Sequence, residues 1–143
     1  MLNARIKQLR SAMAQHAQQA LLITHLPNVR YLCGFTGSSG ALLITADRSR
    51  LFTDGRYRRQ AREEVQGAPV VIGKKAPALQ AAEWLAAHER GRIALGMEGE
   101  HVTVATQAAI RRELPPRVRI KPVSSIVERQ RIVKVITELA RLR

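Results

Sequence analysis

Two places in this chain hold residue types that do chemistry at suggestive spacing. Residues 34–40, GFTGSSG, set Gly34, Gly37 and Gly40 three apart around Ser38 and Ser39, the composition of a phosphate-cradling loop. Residues 54–57, DGRY, offer Asp54, Arg56 and Tyr57 just after an apolar run. The planar fork of an arginine at such a turn suits a carboxylate. The remaining ligand and nucleophile types are His16, His25, His88, His101 and the single cysteine, Cys33.

The phosphate reading fails on order. A P-loop needs Lys and Ser/Thr directly after its last glycine, opening a helix. Here Gly40 leads into Ala-Leu-Leu-Ile-Thr, which reads as a strand. A dinucleotide fingerprint needs G-x-G-x-x-G between a strand and a helix, whereas this is G-x-x-G-x-x-G ahead of a strand. Gly34, Gly37 and Gly40 are therefore read as a structural turn whose φ values are closed to other residues. The histidines show no H-x-x-x-H or H-E-x-x-H spacing, so no metal site is expected. His16 and His88 fall at apolar helical faces and read as partly buried structural groups. Cys33 follows Leu32 in an apolar stretch and reads as a packed thiol rather than a nucleophile. The 11 acidic residues suggest no metal cluster and are expected to pair locally with arginines. A Ser38–His25–Asp54 triad can be drawn, but such triples can be drawn from any chain. For Asp54, Arg56 and Tyr57 two readings stay open, a carboxylate-binding edge or a structural pair in which Asp54 holds the turn.

The elements that position these residues follow from periodicity. Leu2, Ile6, Leu9 and Met13 make one face of a helix over 4–18, with Asn3 as its cap. Residues 20–24 form a short buried strand. Residues 25–34 form a short helix with Pro27 near its start and Gly34 at its end. Strands at 40–45 and 50–54 are joined by the polar link ADRS. Tyr57, Ala61 and Val65 mark a helix over 57–65. A strand at 68–73 and a helix at 77–88 follow, the latter aligning Ala81, Trp84, Leu85 and His88. Residues 92–98 contain a strand, Thr103 caps a helix running to about Arg112, and 117–123 form a last strand. Ser125 through Glu128 fits a capping box. The alternation argues an α/β sheet covered on both faces.

Composition bounds the rest. A chain of 143 residues with 45% hydrophobic content forms one domain around one core. No segment resembles a targeting signal, and no run reaches the ~18–20 apolar residues of a membrane span. One cysteine fits a reducing compartment, so the cytoplasm is expected. The net charge of +13 would attract polyanions, yet aromatic residues make up only 3%, too few for base-stacking platforms. No zinc-finger or RNP-like element appears, so no specific nucleic-acid partner is expected.

NVRYLCGFTGSSGALLIT (28–45), followed closely by LFTDGRYRRQA (51–61), resembles the N-terminal domain of the Xaa-Pro aminopeptidase, prolidase and creatinase family. GMEGEHVT (96–103) is similar to the family's strand ending in Glu, here Glu98. Residues 131–139 resemble the R-x-x-K-x-x-x-E-[IL] segment that opens the second domain. Cys33 replaces the usual Thr or Ser, and Val135 and Ile136 weaken the helix start expected after Lys134.

The resemblance implies a three-layer, ribonuclease-H-like α/β domain, a mixed β-sheet flanked by helices on both faces. It implies a creatinase/prolidase-type domain over 1–128, with 129–143 as linker and first helix of a C-terminal pita-bread catalytic domain. That domain would hold two divalent ions (Mn, Co or Zn), so neither catalytic nor metal residues are expected within 1–143. It further implies a homodimer, an entrance narrowed to short proline-containing peptides, and a substrate-edge or interdomain role for Asp54, Arg56 and Tyr57. The alternatives are a protein-binding module of a relative that has lost catalysis, or a polyanion binder.

Overall fold

The computed structural model describes residues 2–142. In chain order the elements are α1 (Leu2–Gln15), β1 (Ala20–Ile23), α2 (Leu26–Cys33), β2 (Ala41–Thr45), β3 (Ser49–Thr53), α3 (Arg58–Glu64), β4 (Val70–Ile72), α4 (Pro77–His88), β5 (Ile93–Glu98), α5 (Val104–Arg112), β6 (Val118–Val123) and α6 (Ile126–Arg141). A 3-10 turn over Gly55–Tyr57 leads into α3. The strands make one mixed sheet in the order β4-β3-β2-β1-β5-β6. The short 46–48 link permits the antiparallel β2–β3 hairpin, and β1 pairs antiparallel with β2. β3–β4, β1–β5 and β5–β6 are parallel, as helical crossovers require.

Helices cover both faces, which is why β1 and β2 are unbroken apolar runs rather than alternating ones. Leu21, Ile23, Leu42 and Ile44 point into a core closed by Ile6, Leu9 and Met13 of α1, Val29 and Leu32 of α2, and Ile126 and Val127 of α6. Their neighbours Ala20, Leu22, Ala41 and Leu43 point the other way, against Ala81, Ala82 and Leu85 of α4 and Ile110 of α5. Each fully buried Leu or Ile contributes on the order of 2 kcal/mol by leaving water.

Several expectations are corrected. α1 ends at Gln15, and Ala17 takes a left-handed φ of 54° as the chain turns toward β1. Asn3 lies inside α1, and its side-chain oxygen sits against Gly67 instead of capping the helix. Of the three loop glycines only Gly34 is left-handed, at φ 87°, ending α2 with its N–H on the carbonyl of Arg30. Gly37 and Gly40 are needed for space, since a Cβ on either would collide with the buried ring of Phe35. His16 and His88 are exposed: His16 lies past the last buried turn of α1, and His88 stacks on the outer side of Trp84. Among the described residues only Asp54 and Glu63 form ion pairs with arginines, while Glu83, Glu113 and Glu138 pair with lysines, Glu128 meets His101, and Glu64, Glu98 and Glu100 accept from polar side chains and backbone N–H groups.

Candidate functional site

The C-terminal ends of β1 and β5 lie side by side, where open α/β sheets present a crevice. Glu98, the last residue of β5, is 3% exposed. Its Oε1 accepts the backbone N–H groups of Thr24 (2.8 Å) and His25 (2.9 Å), fixing the turn into α2. Its Oε2 accepts from Nδ2 of Asn28 at 2.6 Å. The same Nδ2 donates to Oε2 of Glu128 at 3.0 Å, and Oδ1 of Asn28 accepts from Arg131 at 2.9 Å. Asn28, itself fully buried, thereby links α2 to β5 and α6.

Beside this network Glu128 meets Nε2 of His101 at 2.6 Å, and the rings of His101 and His25 stack at 3.6 Å with only 4° between planes. Burial pushes the Glu128 carboxyl up, but hydrogen bonds from His101 and Asn28 outweigh it and hold the group below the usual carboxylate range. The capping box is therefore not formed. Ser125 precedes α6 at φ 56° with no side-chain cap, its hydroxyl donating to Glu100 at 2.6 Å, while Glu128 faces His101. Long-range partners outcompete the local pair. By contrast, Thr103 caps α5 as expected, accepting from the N–H of Thr106 at 3.1 Å.

The 34–57 region forms a second cluster. Thr36 donates its N–H (2.9 Å) and hydroxyl (2.7 Å) to Glu64, so a carboxylate already occupies the place where a phosphate would have to bind. Ser38 hydrogen-bonds to the hydroxyl of Tyr57, and Thr53 donates to the Ser39 carbonyl at 2.6 Å. The loop is a tied turn into β2. Asp54 accepts from the backbone N–H of Arg56 at 3.0 Å and takes its guanidinium on both oxygens at 2.9 Å. That fork holds the Asp54 carboxyl below its ordinary range. Of the two readings, the structural pair is formed, although Arg56 keeps 70% of its side chain exposed.

The residues of the imagined triad go to separate partners, Ser38 to Tyr57, Asp54 to Arg56 and His25 to His101. Cys33 is buried, which pushes its thiol up to about 11 and leaves it protonated at neutral pH. Among the described residues no Ser or Cys side chain hydrogen-bonds to a histidine, so no activated nucleophile of that kind is assembled. Two of the histidines, His25 and His101, are isolated in sequence but not in space. Sequence spacing could not show this, because His25 and His101 sit on the connections after β1 and β5, which the sheet pairs, and Glu128 lies in the first turn of α6, far along the chain.

Three of the quoted motifs meet at one point: Asn28, Glu98 and Arg131 each come from a different one and bond through Asn28. Residues 5–133 match the family described as the Creatinase/Prolidase N-terminal domain. The chain belongs to that family. The creatinase/prolidase domain is 30% identical over 135 residues to the uncharacterized peptidase YqhT of Bacillus subtilis, covering 94% of this chain and 37% of that one. Its fold matches the N-terminal domain of the cytoplasmic peptidase PepQ of Mycobacterium tuberculosis with TM-score 0.81 and 37% identity, over 87% of this chain and 96% of that one. It matches the Xaa-Pro dipeptidase of Bacillus anthracis with TM-score 0.83 and 27% identity, over 92% of this chain and 36% of that one. The chain thus spans little more than a third of these two longer relatives.

One surface of the creatinase/prolidase domain is unlike the rest. Past Arg131, α6 leaves the core, and Ile132, Val135, Ile136 and Leu139 are each more than half exposed. With Glu128 and Arg131, the first three line a shallow apolar groove along the helix. Val135 and Ile136 do not interrupt this helix, which begins at Ile126, well before them. Among the described residues no helix is long and apolar enough to cross a membrane.

Proposed function

We propose that this chain is the non-catalytic N-terminal domain of a cytoplasmic, proline-specific metallopeptidase, an Xaa-Pro aminopeptidase or Xaa-Pro dipeptidase. Residues 1–128 form the domain, and 129–143 carry the chain into a C-terminal catalytic domain. That second domain holds two divalent ions, Mn, Co or Zn, through its own residues; when bound, they activate water for attack on a peptide carbonyl. The N-terminal domain contributes to a homodimer and narrows the entrance so that short proline-containing peptides enter. Asp54, Arg56 and Tyr57 serve its substrate-edge or interdomain face, and the Asp54–Arg56 pair presents a fixed, half-neutralised guanidinium there.

The observation that carries this reading is the uncovered apolar side of α6, in a chain that spans 37% of the YqhT peptidase. A contiguous exposed apolar strip on an otherwise charged molecule marks a contact surface. A net charge of +13 also suits a neighbour rich in carboxylates.

The test compares this chain with the same gene carried to its natural stop codon, on an Xaa-Pro peptide with added manganese. Turnover only in the longer protein is expected. Turnover in neither would favour a protein-binding relative without catalysis, and turnover in this chain alone would overturn the non-catalytic assignment.

A further inference from the structure

The geometry points to a divalent-cation site in this domain, formed by His25, His101 and Glu128, with Zn2+ as the fitting ion. One ligand atom from each of the three side chains lies within 4.8 Å of the other two. Two imidazoles and a carboxylate are a donor set suited to Zn2+ and its first-row neighbours rather than to Mg2+ or Ca2+. Three protein ligands would leave a fourth position to water.

The donors are available. Neither ring nitrogen of His25 has a hydrogen-bond partner among the described residues, and its ring stacks on that of His101. Both hydrogen bonds that Glu128 accepts from other residues use Oε2, so Oε1 is open to a further partner. The outer shell is built as well. Asn28 donates to Glu128 and is itself fixed by Glu98 and Arg131, the kind of support that orients a ligating carboxylate. The local charge is favourable despite the overall balance, because Glu98, Glu100 and Glu128 gather at this end of the sheet against Arg131.

Entry of the ion requires modest rearrangement. Ligand atoms of a tetrahedral site with bonds of about 2.0–2.1 Å lie roughly 3.3 Å apart. The 2.6 Å contact between His101 and Glu128 must open, and the proton on it must leave Nε2. The two stacked rings must tilt so that their lone pairs converge. These are side-chain rotations of half-buried groups on two connections and in the first turn of α6, not changes in the sheet. The site is independent of the peptidase reading, since its ligands all lie within this chain.

The test is calorimetric titration of the chain, stripped of metal with EDTA, with ZnCl2, alongside the visible spectrum after Co2+ is added. Binding of one equivalent is expected, with a Co2+ spectrum of low-coordinate nitrogen and oxygen ligation. His25→Gln, His101→Gln and Glu128→Gln should each weaken Zn2+ binding by at least about ten-fold. His16→Gln and His88→Gln should leave it unchanged. Far-ultraviolet circular dichroism confirms that each variant folds; if one does not, the other two and the Co2+ spectrum still decide. No binding up to about millimolar Zn2+, or binding insensitive to all three substitutions, overturns the site and leaves His101–Glu128 as a hydrogen-bonded pair alone.

Discussion

Glu98 is a carboxylate with almost no access to water, accepting from two backbone N–H groups and one carboxamide. Removing it strands buried donors, each of which costs about 1–3 kcal/mol when left unpaired. Glu98→Ala is expected to lower the urea-unfolding free energy by about 2–4 kcal/mol, and Glu98→Gln by less, because an acceptor oxygen remains. A second residue-scale consequence concerns acid. Arg56 holds Asp54, and Thr36 holds Glu64, below the usual carboxylate range, and the Ser125 hydroxyl does the same for Glu100. Glu128 is lowered too, despite its burial. Folded values below unfolded ones mean that their contribution is present above about pH 4.5 and is lost as pH falls through the folded values. The urea midpoint should therefore be flat from about pH 7 to 5 and fall below that. Glu64→Gln should flatten the acid limb, and an unchanged limb would contradict this assignment.

At the scale of elements, what was legible in the sequence was whatever local chemistry decides. β1, β2 and β5 are apolar stretches with turn residues beside them, Thr103 has a free helix end to cap, and Gly34 fits the left-handed stop of α2. What was not legible depended on distant groups. Ser125 and Glu128 have capping-box spacing, but Glu100 claims one and His101 the other. Gly37 and Gly40 looked like conformational glycines, and their cause is instead the ring of Phe35 folded back over the loop. This distinction is measurable. Gly37→Ala should destabilise by about 1–3 kcal/mol through overpacking against Phe35. Gly55→Ala, where an added Cβ meets nothing within 4 Å, should change unfolding free energy by less than about 0.5 kcal/mol.

At the scale of the molecule, alternation of helices and strands foretold a sheet covered on both faces but not the strand order. Nothing in β1 itself says that its neighbours are β2 on one side and β5 on the other, because every position of β1 is buried either way. The candidate site was hidden for the same reason, since it exists only once β1 and β5 adjoin. Net charge was legible at once, and it belongs to this scale: 24 basic residues against 11 acidic ones attract any polyanion weakly. Binding to single-stranded DNA is expected to be indifferent to sequence and to vanish by moderate salt, as counterion release dictates. Sequence-selective binding that survives such salt would revive the polyanion reading.

The position of β1 has a consequence for synthesis. As the chain leaves the ribosome, β1 can pair with β2, and β2 with β3, once Thr53 has been made, but the parallel partners of β1, Leu95, Gly96 and Met97, are made much later. Until then a half-sheet would present the open edge of Ala20, Leu21 and Leu22, with backbone groups free to pair with another nascent chain. Slow decoding between β3 and β5, or a shortage of chaperones, should therefore harm the yield of this domain more than the same delay placed after β6.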